Sequence, residues 1–185
     1  MSDQKGNPMA AASPTLHVVE SRLSDLFKTH HRRVLMAAYR ITGSVADAED
    51  VAQGVFLRLA TGDQLAMSNP ASYLYRAAIN GALDLLRRRT SAANEPLEAA
   101  AHVASQGSGS RPEAEAAASE LLEYLRKALA QLSPRAAEMF TLRYVEELGN
   151  GEIAALTHTS QAVVAVTLHQ ARAKLKKMIR EKGTR

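Results

Sequence analysis

The sequence predicts an all-α chain: two small helical domains joined by a flexible linker, the second of them a helix-turn-helix domain. Three observations carry that prediction. Apolar residues recur at spacings of three and four along most of the 185 residues, and no alternating strand pattern competes. Aromatics make up 4% of a chain that is 46% hydrophobic, so Ala, Leu and Val must fill the cores, which suits close helix packing. A Gly/Ser/Pro-rich stretch then interrupts the periodicity near the middle. Residues 96–120 hold one basic and four acidic side chains, whereas residues 1–95 hold 11 and nine, and residues 121–185 hold 11 and six. The length fits one ordinary domain or two small ones.

Residues 1–15 are polar, small and without period, as expected of a disordered tail. From about Leu16 to Ile41, the positions Leu23, Leu26, Phe27, His30, Val34, Ala37, Ala38 and Ile41 mark the first helix, and Gly43 ends it. Ser44 can cap the next helix with Asp47 at its third position, a capping-box arrangement with Asp in place of Glu. That helix runs to about Ala60, with Ala48, Val51, Ala52, Val55, Phe56 and Leu59 on one face and Gly54 in its middle. Thr61–Ser68 reads as a loop. Asn69 and Pro70 open a long helix to about Arg89, whose expected buried side is Tyr73, Leu74, Ala77, Ala78, Ala82, Leu85 and Leu86. These elements make a first domain over residues 16–90. The run Gly107-Ser108-Gly109-Ser110 and the prolines Pro96 and Pro112 make residues 91–118 a flexible linker, with room for a short helix from Pro96 to Val103.

The second domain spans residues 119–185. Leu121, Leu122, Leu125, Ala128, Leu129 and Leu132 give its first helix, and Ser133-Pro134 opens another lined by Met139, Phe140, Leu142, Tyr144 and Val145. After a turn at Gly149-Asn150 comes a short helix near Glu152–Leu156, a tight turn over Thr157–Ser160, and a last helix from Gln161 to about Glu181. This succession reads as a helix-turn-helix. Ser160 would cap the second helix, whose first exposed turns could enter a major groove, with Val163, Val166 and Leu168 as apolar contacts. Arg172, Lys174, Lys176, Lys177 and Arg180 could reach phosphates. Spacing alone leaves a plain packed helical hairpin with a solvated basic end as the other reading.

Composition excludes several classes of function. Without cysteine there are no disulfides, Cys-zinc sites or thiol nucleophiles. No 18-residue apolar run or signal-like segment occurs, so a soluble, cytoplasmic protein without membrane insertion is expected. The six histidines form no zinc motif, and His30 reads as a partly buried helix residue. No Gly-rich phosphate loop occurs, and the nearby carboxylates Asp47, Glu49 and Asp50 do not by themselves define a metal site. No cofactor and no enzymatic activity are expected.

The segment Gly43-Ser44-Val45-Ala46-Asp47-Ala48-Glu49-Asp50-Val51-Ala52-Gln53-Gly54-Val55-Phe56-Leu57-Arg58-Leu59 resembles the core-polymerase-binding helix of the extracytoplasmic-function (ECF) sigma factors of the sigma-70 family. Asn69-Pro70-Ala71-Ser72-Tyr73-Leu74-Tyr75-Arg76-Ala77-Ala78-Ile79-Asn80 and Ala82-Leu83-Asp84-Leu85-Leu86-Arg87-Arg88-Arg89 are similar to the family's next helix, which helps open and read the −10 element. Leu132-Ser133-Pro134-Arg135, Phe140-Thr141-Leu142-Arg143-Tyr144-Val145-Glu146, Glu152-Ile153-Ala154 and Leu168-His169-Gln170-Ala171-Arg172 resemble its −35-binding domain. The resemblance covers about Leu23–Arg89 and Ala128–Ile179, with its motifs in order.

The resemblance implies an initiation factor whose partners are core RNA polymerase and promoter DNA, and it allows an anti-sigma protein as a further partner. It implies Asp47, Glu49, Asp50, Gln53 and Phe56 for core polymerase. It implies Asn80, Asp84, Arg87, Arg88 and Arg89 for the −10 element, with the Thr61–Ser68 loop receiving a flipped base. For the −35 element it implies Ser160, Gln161, Val163, Val164, Thr167, His169, Arg172 and Lys176. Four departures stand out: Gly54 replaces a usual glutamate, Ala60 an aromatic residue, Gly149 a serine cap, and Ala165, Thr167 and Gln170 the basic residues of the recognition helix. Gln161–Gln170 therefore carries no formal charge, which implies few phosphate contacts and a shallow salt dependence at the −35 element. Two other readings stay open: a DNA-binding regulator that does not join polymerase, and a sigma-like interaction protein with weakened promoter binding.

Overall fold

A computed structural model of the chain describes residues 14–61, 69–94 and 113–183. Within them every element is helical. α1 is Pro14–Thr42, α2 Val45–Thr61 and α3 Pro70–Asn94. α4 is Glu113–Ala130, α5 Pro134–Tyr144, α6 Asn150–Leu156 and α7 Gln161–Gly183. Most of the expected tail, the loop after Thr61, the Pro96–Val103 helix and the Gly/Ser run lie outside the described residues. Helix enters the expected linker from both sides, at residues 91–94 and 113–118. The alanines there make those extra turns inexpensive.

Local chemistry sets the boundaries. Gly43 closes α1 with φ +70°, a left-handed conformation that costs glycine nothing, and its N–H donates to the Tyr39 carbonyl at 2.7 Å. Ser44 Oγ accepts from the Asp47 N–H at 3.3 Å, so the forward half of the capping box forms. The return half does not, because the Asp47 carboxylate is bonded to Arg89 instead. Asn69 Oδ1 accepts from Ser72 N–H at 3.0 Å and caps α3. Pro134 starts α5 without a side-chain bond from Ser133.

α1, α2 and α3 pack on one another around Val34, Ala38, Val55, Leu59, Leu74, Ala78 and Ala82. The same buried cluster continues through Leu129, Met139, Leu142, Ile153, Val164, Leu168 and Leu175 of α4 to α7. α3 belongs to both parts of it. It packs on α1 and α2, and also on α4 and α5. The expected apolar side of α3 is therefore only part of what is covered: Tyr75, Ile79 and Leu83 are buried too. A helix apolar on most of its circumference needs neighbours on more than one side. Leu121 and Leu122, which mark this helix in the sequence, stand exposed on α4.

Among the described residues no helix is long and apolar enough to cross a membrane.

Candidate polymerase and nucleic-acid interfaces

α2 buries one stripe and leaves the other open. Glu49, Asp50, Gln53 and Leu57 are exposed on its outer side, and no ion pair holds either carboxylate among the described residues. Phe56 differs from them: it is buried, with Phe27 edge-on at 4.9 Å and His31 at 6.1 Å between ring centroids. Its period places it on the core stripe with Val55 and Leu59, and Phe27 is the more exposed of the two rings. Asp47 is also turned inward. Its two carboxylate oxygens accept from Arg89 Nη1 at 2.6 Å and Nη2 at 2.5 Å, a bidentate pair tying the start of α2 to the end of α3. Asp47 and Arg89, expected on two different partner surfaces, are thus each other's partner. Of the three carboxylates near the α2 start, one points in and two point out, which spreads them apart.

On α3, Asn80, Asp84 and Arg87 share a face as their spacing requires, while Arg88 is exposed beside it. Arg87 Nη1 donates to Asp84 Oδ1 at 2.6 Å. Arg87 Nη2 is enclosed and has no acceptor among the described residues. This face lines a groove of about 340 Å³ whose other wall is the second domain: Pro134, Arg135 and Glu138 of α5, with Thr157. Glu138 is buried. Its Oε1 accepts from Arg76 Nε at 2.8 Å and from Asn80 Nδ2 at 3.2 Å.

Further contacts cross between the two helical units. Arg40 Nη1 donates to Glu146 Oε2 at 2.6 Å. Arg126 Nε donates to the Ile41 carbonyl at 3.1 Å, with its guanidinium in the space a Cβ on Gly43 would fill. Tyr75 lies beneath the Arg33 guanidinium, 4.5 Å from ring centroid to Cζ. Burial and the neighbouring Glu146 carboxylate push the Tyr75 phenol above its ordinary range.

α6 and α7 are joined by a four-residue turn in which His158 takes φ +51°. Ser160 Oγ accepts from Val163 N–H at 3.3 Å, the expected cap. Glu152 Oε2 accepts from Gly149 N–H at 2.7 Å at the start of α6. Only this half of a capping box forms, since glycine has no side-chain acceptor. On α7, Gln161, Val163, Val166, His169, Gln170, Arg172 and Lys176 are exposed and Thr167 is half-buried. Val164 is a correction. It is fully buried with Leu168, Ala171 and Leu175, because that i, i+4, i+7, i+11 stripe seats α7 on α5 and α6. Leu168, expected as a groove contact, lies on the same buried stripe. Lys174 Nζ donates to the Gln131 carbonyl at 2.7 Å, so one lysine of the basic tail fastens α7 to the end of α4.

The residue order and this geometry can be set beside known proteins. The family model described as Sigma-70 region 2 matches residues 26–92, and the one described as Sigma-70, region 4 matches residues 122–175. The chain belongs to the sigma-70 family. The ECF RNA polymerase sigma factor SigW of Bacillus subtilis (strain 168) is 24% identical over 172 residues, covering 88% of this chain and 91% of that protein. The RNA polymerase sigma factor YlaC of the same organism is 28% identical over 163 residues, covering 84% and 90%. Among solved structures, the sigma factor RpoE from Bartonella quintana, crystallised with the anti-sigma factor NepR, is similar with a TM-score of 0.46. Identity is 20% over 85% of this chain and 96% of that one. This sigma factor is of the ECF class. It is an initiation subunit, not an enzyme.

Sequence reasoning missed four residues at the inter-unit face: Arg76, Glu138, Arg126 and Glu146. One signal was present. Glu138 stands between Ala137 and Met139 in the buried phase of α5, and a carboxylate there needs a cationic partner.

Proposed function

We propose that this sigma factor docks on core polymerase through the outer edge of α2, holds the opened −10 strand on α3, and reads a −35 duplex with α7. One observation supports this reading above the others. The three elements that match the family's motifs each present an outward face: acidic and apolar on α2, polar and cationic on α3, and uncharged then basic on α7.

Glu49, Asp50 and Gln53, with Leu57 beside them, suit a basic helical surface of the polymerase. Asp47 acts behind them by holding Arg89. Asn80, Arg87 and Arg88 meet the strand, and binding energy drives its melting; none of these residues performs chemistry on DNA. α6 and α7 form the helix-turn-helix, with Gln161, Val163, Val166 and His169 toward base edges and Arg172 and Lys176 toward phosphates. These tasks need no cofactor. An anti-sigma protein fits the same surfaces as an inhibitor.

Run-off transcription with purified core polymerase and a promoter library tests the reading. Asp50→Lys should fail to bind core. Arg87→Glu with Arg88→Glu should bind core and fail to open DNA. Parent-like behaviour of both variants would reject these assignments. Core binding separates this reading from a plain DNA-binding regulator.

A further inference from the structure

The groove between α3 and α5 shows more than two domains touching. Arg76 and Asn80 stand one turn apart and converge on a single carboxylate oxygen of Glu138. Arg87, two turns beyond Asn80 on the same face, keeps its enclosed Nη2 without an acceptor among the described residues. From Arg76 to Arg87 the face runs about 16 Å along the helix. It carries two guanidinium groups and one amide donor, against a single carboxylate, Asp84, on its own helix. Arg135 adds a third guanidinium from the opposite wall. Glu138 supplies the only acidic group from that wall among the lining residues. A phosphodiester offers the same thing as Glu138 does: a singly charged group with two acceptor oxygens, suited to a guanidinium and a neighbouring amide.

We propose that Arg76 and Asn80 form a phosphate-binding site for the backbone of a single DNA strand, and that Glu138 occupies it in the closed molecule as an internal substitute. This deepens the proposed −10 role of α3 and rests on it. Strand and α5 then compete for one set of donors. The strand binds as the second domain withdraws, and Glu138 returns when the strand leaves. The Arg40–Glu146 pair and the Arg126 bond to Ile41 hold the closed arrangement from other points, so they raise the threshold for strand binding without touching the strand.

The test uses the full chain, a fluorescent pool of random single-stranded 15-mers, and small-angle scattering of the free protein. Glu138→Gln removes the competing charge and keeps the shape. It should enlarge the molecule and tighten pool binding about tenfold, the scale of one hydrogen bond to a charged group. Arg76→Gln should enlarge the molecule as well, yet bind the pool no better than the parent. Arg40→Ala changes an exposed residue outside the strand site, so it guards against a folding defect; it should enlarge the molecule and tighten binding by a smaller factor. An expanded Glu138→Gln protein with parent affinity would overturn the proposal. So would an Arg76→Gln protein that gains as much as Glu138→Gln. Core-polymerase binding is measured beside these. A strand gain with no polymerase binding would retire the initiation reading and keep the site, whereas polymerase binding with no strand gain would retire the site alone.

Discussion

α3 and α7 both face DNA in the proposed function, and they are built in opposite ways. α3 is buried on most of its circumference, and several of its polar residues are already engaged: Asn80 with Glu138, Asp84 with Arg87, Arg89 with Asp47. α7 buries a single stripe and leaves its first three turns open, with no charge between Gln161 and Gln170. On that proposal the first helix meets DNA by exchanging partners, and the second meets it with groups that have nothing to give up. Strand binding on α3 should therefore be coupled to the posture of the whole molecule, while duplex reading by α7 should be local.

The largest effects would break this comparison at its base. Leu83→Ala on α3 and Leu142→Ala on α5 each empty a fully buried site and should lower unfolding stability by about 2–5 kcal/mol. Denaturant melts should show one transition in both variants, since one buried core runs through α3 into both units. Two separate transitions would make the units independent. Asp47→Ala leaves Arg89 without its bidentate partner and should cost about 1–3 kcal/mol, because the carboxylate is buried although the arginine is half-exposed. Thermal unfolding of this variant measures how much of the α2–α3 connection that pair supplies.

Next come effects confined to α7. Gln161→Ala should relax base preference by about 1–3 kcal/mol at one position of a −35 duplex, and Arg172→Ala should weaken all duplexes alike while lowering the salt slope by about one. Salt titrations on matched and mismatched duplexes separate the two. Smaller again is a glycine contrast within the first unit. A Cβ on Gly54 would meet only Arg58 at 3.8 Å, so Gly54→Ala should stabilise by about 1 kcal/mol. At Gly81 the same group would press on Val51 at 3.1 Å, and Gly81→Ala should gain nothing. The last effect appears only in alkali. The Tyr75 phenol is raised in the folded protein, so its contribution is fully present below pH ~10 and declines as pH climbs above that value. Tyr75→Phe should flatten the pH dependence of stability in that range.

Much of this architecture was legible in the residues. The helices follow from three-and-four spacing, and Gly43, Asn69 and Ser160 mark boundaries that the backbone obeys. What stayed hidden depends on contacts between distant segments. The spacing of α2 could not show that Asp47 turns inward, because that depends on Arg89, 42 residues later. Val164 and Val163 look alike in the sequence, and only the packing of α7 on α5 and α6 buries one and exposes the other. The groove facing α3 depends on how the two units dock, which no local pattern records. Even there, the apolar sequence Tyr75, Ile79, Leu83 beside the expected stripe of α3 signals a second neighbour.

The bond from Arg126 to the Ile41 carbonyl has a consequence of its own. A carbonyl in the final turn of α1 is satisfied by a donor from the far side of the molecule. Separation of the halves returns that oxygen to water and loosens the turn, so amide exchange near Thr42 becomes a local gauge of a global movement. A methyl group placed on Gly43 would act on the same spot as a wedge, displacing the guanidinium and straining the left-handed backbone at φ +70°, and so would favour the open form proposed above.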